Sequence, residues 1–379
     1  MRPAVAIVQR RMTHYRVPLF EQMRERLADE GIELRVLHGE GTAEEASKSD
    51  AGELPWATRL PTRYALGGRL CWQPFAHAVH DCALVVVTQE NKLLNNLPPV
   101  LSPWRRRRLA FWGHGRDMQA PRPDAWSERF KAWTTRRVDW WFAYTDISAA
   151  CIGAAGYPAD RVTVLHNSID TSGLRRAVEQ ARADDRAALR ASLGLGTGPV
   201  GLYMGSLYAD KRIGWLIDAA QQLHERVPGF ELLVAGAGPE RALVEAAAGR
   251  HRFVRYVGPV RDLRRAQCLA VADLVLNPGM VGLGILDAFA AGLPLVTTDC
   301  GLHSPEIAYL DSGRNGVMTA DEPKAYVDAC HRLLNDDAAR AAMSRAAAAS
   351  AEEFSIERMS ERFCQGLLAC LARERHHGG

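Results

Sequence analysis

The chain has 379 residues, room for two or three domains of ordinary size. Hydrophobic residues make up 47% and charged residues 24%, a balance that excludes collagen-like, wholly disordered and disulfide-scaffold chains. The formal net charge of +3 is too small for a dedicated nucleic-acid binder, and no nucleic-acid partner is expected.

In chain order, short apolar runs alternate with longer helical patterns, the rhythm of βα units and a parallel sheet. Strands are predicted at Ala4–Val8, Glu33–Leu37, Leu84–Thr88, Leu109–Trp112, Trp141–Ala143 and Val162–Leu165. Residues 83–87 are apolar at every position, so both faces of that strand should be covered. A helical, charge-rich stretch at 174–195 leads to Gly196, Gly198 and Pro199. A second series follows, with strands at 200–204, 231–235, 252–257, 274–277 and 293–297 and helices at 213–226, 239–249, 262–271 and 285–291. The chain ends in helix from about Pro323 to Arg373, interrupted near residues 352–355. The fold class is α/β: two doubly wound Rossmann-like domains whose strand C-terminal edges face each other across a cleft. The expected boundaries are 1–170, a connecting segment over 171–198, and 199–355, with the helix at about 356–379 returning to the first domain.

The eight cysteines stand singly at 71, 82, 151, 268, 300, 330, 364 and 370. None forms Cys-x-x-Cys, so reduced and mostly buried thiols are expected. The first apolar run is too short for a secretory signal, and no run approaches the ~18 residues that span a bilayer. The expected location is cytoplasmic, at most peripheral at the inner face of the plasma membrane.

The block over 277–298 carries the most chemistry: strand, Gly-rich loop, short helix, Gly, strand. Gly279, Gly282 and Gly284 let a ligand approach the backbone. Free N–H groups and the dipole of a helix starting near Leu283 suit a diphosphate, and Asp287 is placed to accept from a sugar diol. Residues 204–212 present Lys211 and Arg212 just before a helix, where a cation neutralises phosphate charge. Val-Ala-Gly-Ala-Gly-Pro-Glu (234–240) is another strand, Gly turn and helix start.

Taken in order, these pieces resemble the C-terminal domain of retaining glycosyltransferases of family 4, which have the GT-B fold, of the bacterial polysaccharide and lipopolysaccharide type. Leu-His-Asn-Ser-Ile-Asp (165–170) resembles the family's Asn-Gly-Ile-Asp segment, Gly205 to Lys211 its Gly-Arg-Leu…Lys, Gly236 to Pro239 its Gly-Asp-Gly-Pro, residues 277–298 its Glu-x7-Glu block, and Ser304 to Ile307 its closing Glu-Ile. The resemblance implies donor contacts from Gly205, Ser206, Lys211, Arg212, Gly236, Val257, Gly279, Val281, Gly282, Leu283 and Asp287. The first Glu of the block falls on Gly279 and the second, the ribose ligand, on Asp287. The amides of Val281–Leu283 are expected to take part of the missing Glu's role. The family's phosphate-binding Arg falls on Ser206, and Arg212 is expected to compensate. Catalysis is assigned to His114, Lys211 and Asp287.

In the first half, Thr13, His14 and Arg16 follow the first strand, Glu90 follows an apolar strand, and Arg116 follows His114 in Trp-Gly-His-Gly-Arg-Asp (112–117). These are the acceptor-side candidates. Between Pro98 and Trp141 the chain carries a net +6 and six of its nine tryptophans. Cations interleaved with indoles suit an anionic membrane interface, with Trp104, Arg105, Arg106, Arg107 and Arg108 as the contact; the other arrangement is a tryptophan core beneath a solvated arginine face.

The expected function is transfer of a sugar from a UDP- or GDP-sugar donor to a hydroxyl of a glycan or lipid-linked acceptor. No cofactor beyond the nucleotide sugar is expected, and no metal, because helix N-termini and Lys211 can neutralise the leaving diphosphate. The alternatives are a GT-B sugar-nucleotide epimerase and a non-catalytic nucleotide-sugar-binding protein.

Overall fold

The computed structural model describes residues 2–42, 45, 50–102, 107–115 and 133–373. The chain divides into two compact units, Met1–Asp170 with Ile356–Gly379, and Thr171–Ser355.

The first unit contains β1 (Ala4–Arg11), β2 (Glu33–Gly39), β3 (Thr58–Arg59), a hairpin of β4 (Arg63–Ala65) and β5 (Leu70–Trp72), then β6 (Leu84–Thr88), β7 (Arg108–Gly113), β8 (Trp140–Ala143) and β9 (Val162–Val164). Its main sheet has the order β3-β2-β1-β6-β7-β8-β9, with every pair parallel. The apolar runs build it because successive side chains leave opposite faces of a strand. Val5, Ile7, Leu84, Val86, Ala110, Trp112, Trp140 and Phe142 enter one core, while Ala4, Ala6, Val8, Val85, Val87, Leu109, Phe111 and Trp141 enter the other. The last helix, Ile356–Ala372, adds Ile356, Met359, Phe363, Leu367 and Cys370 to the first core at helical spacing. The Phe363 ring meets Trp112 edge-on at 5.0 Å and stacks on Phe142 at 4.4 Å. Burying such a ring stabilises by about 1.5–3 kcal/mol.

This packing takes three tryptophans of the basic segment into the core. Trp112, Trp140 and Trp141 are core residues at 1%, 6% and 0% exposure. The Arg107 guanidinium donates to the Val79 carbonyl at 2.6 Å, and that of Arg108 to the Arg373 carbonyl. Both therefore serve the packing of this unit. Trp104, Arg105, Arg106 and Arg116 lie outside the described residues.

The second unit contains β10 (Val200–Met204), β11 (Glu231–Ala235), β12 (Val254–Tyr256), β13 (Leu274–Leu276), β14 (Leu295–Thr298) and β15 (Gly316–Thr319) in the parallel order β12-β11-β10-β13-β14-β15. The strand β15 was not expected, because Gly-Val-Met-Thr has no apolar period and gains its identity only by pairing with β14. The stretch at 174–195 is two helices, Ser172–Ala183 and Arg186–Ser192, split where Asp185 caps the second by accepting from the amides of Ala187 and Ala188. The C-terminal helical run breaks after Glu353, near the expected place, and also at Asp336, which caps Asp337–Glu353 through the Ala339 amide. All eight cysteines are free thiols. Among the described residues no helix is long and apolar enough to cross a membrane.

Candidate functional site

In a parallel sheet, ligands bind beyond the strand C-terminal ends where the order reverses. In the second unit that point lies between β10 and β13, so the loops 205–211 and 277–283 meet there. Gly279 is packed against the backbone of the other loop: a Cβ on it would lie 2.3 Å from the Asp210 carbonyl oxygen and 2.6 Å from the Lys211 carbonyl carbon. The Met280 amide donates to the Asp210 carbonyl at 2.8 Å. Lys211 closes the arrangement, its Nζ donating to the Met280 carbonyl at 2.5 Å. Asn277 reaches the same carbonyl at 3.2 Å. Burial pushes the Lys211 amine below the usual lysine range, opposed by the nearby Asp210 charge.

The position of the missing glutamate is therefore closed as well as vacant of a side chain. A Glu there would have to displace the backbone of residues 210 and 211.

Three expectations about the surrounding donors are corrected. The Val281 amide is already used, donating to His303 Nδ1 at 3.1 Å, and the Val281 carbonyl accepts from Ser304 at 2.9 Å. Gly282 and Leu283 are the first amides after it with no backbone acceptor among the described residues. The helix beyond, Gly284–Ala290, has only seven residues, so two turns supply little of the expected dipole. Arg212 does not replace the lost Arg at exposed Ser206: its guanidinium pairs with Asp321 and reaches Thr298 Oγ1 at 3.4 Å. Arg212 itself stands at φ +58°, leading the helix Ile213–Arg226. Asp287 is buried at 9% exposure and pairs with Arg265 of the helix Asp262–Val271. Burial raises its carboxyl above the usual range, opposed by the Arg265 charge and hydrogen bond.

The other two glycine turns interlock. Gly236 has φ +158° and a Cβ there would meet the Gly205 carbonyl oxygen at 1.8 Å; the Gly205 amide donates to Ala235 and that of Leu207 to Ala237. Tyr203 Oη donates to the Ser206 carbonyl at 2.7 Å and Tyr256 Oη to the Gly236 carbonyl at 2.8 Å. The Val257 amide donates to the Val234 carbonyl at 3.1 Å. Two residues escaped the sequence reading, Arg265 and His303. Neither belongs to a motif, and each acts through a partner 22 positions away in the chain.

In the first unit the order reverses between β1 and β6. Thr13 and His14 follow β1, Glu90 follows β6 and His114 follows β7, so all four lie at that strand edge. His14 is exposed, with Nδ1 3.2 Å from the Asp50 carbonyl oxygen. His114 lies against the Tyr144 ring at 4.2 Å. The Glu90 carboxylate stands between Lys92 at 3.1 Å and Arg10 at 3.5 Å. Thr13 is 5% exposed and forms a backbone bridge with Ala51. Arg16 is corrected from acceptor contact to buried anchor. It donates to Asn167 Oδ1 at 2.7 Å and covers the Trp112 ring at 4.9 Å.

Residues 198–336 match the family described as Glycosyl transferases group 1. Over 230 residues the chain is 31% identical to a D-inositol 3-phosphate glycosyltransferase of Nocardia farcinica, covering 57% of this chain and 49% of that protein. The chain spans about half the length of the curated relatives it matches. The structure of Anabaena HepE in complex with UDP aligns over 97% of this chain and 99% of its own, at 18% identity and a TM-score of 0.70. A UDP-GlcNAc 2-epimerase from Neisseria meningitidis aligns over 97% and 100%, at 12% identity and a TM-score of 0.63. These likenesses show the fold: two Rossmann-like parallel sheets of the GT-B class.

Proposed function

We propose that the chain is a glycosyltransferase that binds a nucleoside-diphosphate sugar at the β10/β13 edge of its second unit and transfers the sugar to a hydroxyl. One observation carries this reading: a half-buried lysine ammonium, Lys211, spends its hydrogen bond on the Met280 carbonyl at the sheet's reversal point. A diphosphate entering over Gly282 and Leu283 is a stronger acceptor for that ammonium than a carbonyl. The match over residues 198–336 covers both loops.

In the proposed reaction the bond from the anomeric carbon to the diphosphate oxygen breaks and a bond to the acceptor oxygen forms. The hydroxyl proton leaves with the nucleoside diphosphate. Lys211 stabilises the charge that develops on the leaving group. Retention of anomeric configuration, a UDP or GDP donor, and a glycan or lipid-linked acceptor in cell-surface polysaccharide or lipopolysaccharide assembly complete the proposal. On the acceptor side, His14 and His114 are the proposed contacts, because they stand at the strand edge of the first unit with aromatic or backbone support.

Calorimetric titration with UDP, GDP, dTDP and ADP tests the donor site. One nucleotide should bind, and Lys211→Ala should weaken it by roughly 10- to 100-fold, the value of one charge-assisted hydrogen bond. Absence of binding by every nucleotide refutes the reading. Release of free sugar or of an epimer without acceptor would replace transfer with hydrolysis or epimerisation.

A further inference from the structure

His303 lies outside every motif that the donor site used. It is half-buried, and backbone groups of fixed polarity engage both of its ring nitrogens. Nδ1 lies 3.1 Å from the Val281 amide, which can only donate. Nε2 lies 2.7 Å from the Thr298 carbonyl, which can only accept. The ring is thereby assigned as neutral, with its proton on Nε2. Thr298 also donates through Oγ1 to the Pro278 carbonyl at 2.8 Å. The loop 278–281 is thus tied to the end of β14 twice, once directly at Pro278 and once through the imidazole at Val281.

We propose that His303 is a positioning residue that holds the Gly279–Leu283 loop in its nucleotide-binding form only while its ring is neutral, so that affinity for a nucleoside diphosphate falls as the solution is acidified. The inference rests on the reading of this loop as part of the donor site. A second proton has only Nδ1 to occupy, where it would face the Val281 N–H. The hydrogen bond then becomes a repulsion between two donors, and an amide of a residue 1% exposed loses its acceptor. The loop must move to relieve it, and Met280, bonded to Lys211, moves with it.

The groups facing the ring set the direction. Burial is the largest influence and holds the imidazole below the usual histidine range. The Lys211 ammonium acts in the same direction, while the Thr298 carbonyl, Asp299 and Asp321 oppose it. Cys300 Sγ lies 3.7 Å from Nε2. Above about pH 6.5 the ring is neutral in the folded and unfolded chain and its contribution is complete. The contribution is lost as pH falls through the folded-state value.

The test compares the full chain with His303→Gln and His303→Ala. The Gln amide can accept from Val281 and donate to Thr298, and it does not titrate. Two readouts are followed from about pH 8 to about pH 5: UDP affinity, and hydrogen exchange of residues 279–284 corrected for the intrinsic rate. The unaltered chain should bind UDP on the order of 10- to 100-fold more weakly at the acid end, with loop protection falling in parallel. His303→Gln should keep the loop protection at every pH and lose only the affinity that protonation of the UDP terminal phosphate, at about pH 6, removes from any variant; His303→Ala should be loose and weak throughout. Unchanged loop protection in His303→Ala, or an acid loss of protection that persists in His303→Gln, overturns the proposal. If the unaltered chain binds no UDP, the donor-site reading falls, and hydrogen exchange alone decides whether His303 holds the loop.

Discussion

Adding one methyl group at Gly279 should damage the second unit more than its size suggests. The new Cβ would lie 2.3 Å from the Asp210 oxygen, 2.6 Å from the Lys211 carbonyl carbon and 2.7 Å from the Lys211 oxygen. All three are backbone atoms, so no side-chain rotation relieves the overlap. Overpacking of this kind costs about 1–3 kcal/mol. For a unit of the size of Thr171–Ser355, each kcal/mol lowers Tm by about 2–4 °C, giving a fall of roughly 2–12 °C. The same displacement moves Lys211, so UDP affinity should fall with stability. The matched control is Gly284→Ala: nothing lies within 4 Å of a Cβ there, and the helix gains up to about 1 kcal/mol of propensity. Thermal unfolding and nucleotide titration of both variants check the pair. The reasoning fails if Gly279→Ala melts within about 1 °C of the unaltered chain with the same affinity. It fails equally if Gly279→Glu, which restores the glutamate of the family that the sequence resembles, gains affinity or activity.

Lys211→Met should weaken nucleotide binding by roughly 10- to 100-fold yet raise the stability of the unliganded chain at neutral pH. The folded-state lysine binds its proton less tightly than the unfolded one. Its cost is therefore present at neutral pH and relieved as pH rises through the folded value; denaturant titrations at two pH values measure it. Arg265→Leu leaves the Asp287 carboxylate buried without its cation and should cost about 1–3 kcal/mol, of which Asp287→Asn in the same chain should recover most; a double-mutant cycle tests the coupling. Arg16→Leu should lower the stability of the first unit by about 1–3 kcal/mol, because Asn167 loses a charged donor and Trp112 loses its cover. A change confined to acceptor KM, with unfolding unaltered, would return Arg16 to the acceptor side. Arg107→Ala should likewise reduce stability without reducing co-sedimentation with anionic vesicles, since its guanidinium is committed to Val79.

Much of the fold was legible along the chain. The runs at 84–88, 200–204 and 231–235 are strands at the residues expected, because an apolar run with both faces buried needs no distant partner to declare itself. The helices Ile213–Arg226 and Asp262–Val271 were equally plain from their spacing. The tryptophans were harder. The same interleaving of Trp and Arg serves a membrane face or a core under an ionic skin, and only tertiary packing assigns Trp112, Trp140 and Trp141 to the core. The candidate site was legible as loops but not as bonds. Glycines at 236 and 279 marked where two backbones approach, since only a residue without a Cβ fits there.

Sequence by itself determined the strands, the glycine turns and the presence of Lys211 beside a Gly-rich loop, all of them local consequences of residue type and spacing. Tertiary structure alone decided which partner each of these polar groups takes. Arg212 belongs to Asp321, Arg265 to Asp287, and the Val281 amide to His303. These pairs join residues 109, 22 and 22 positions apart, and a side chain's partner is set by which loops the sheet order brings to one edge, a quantity that no local pattern encodes.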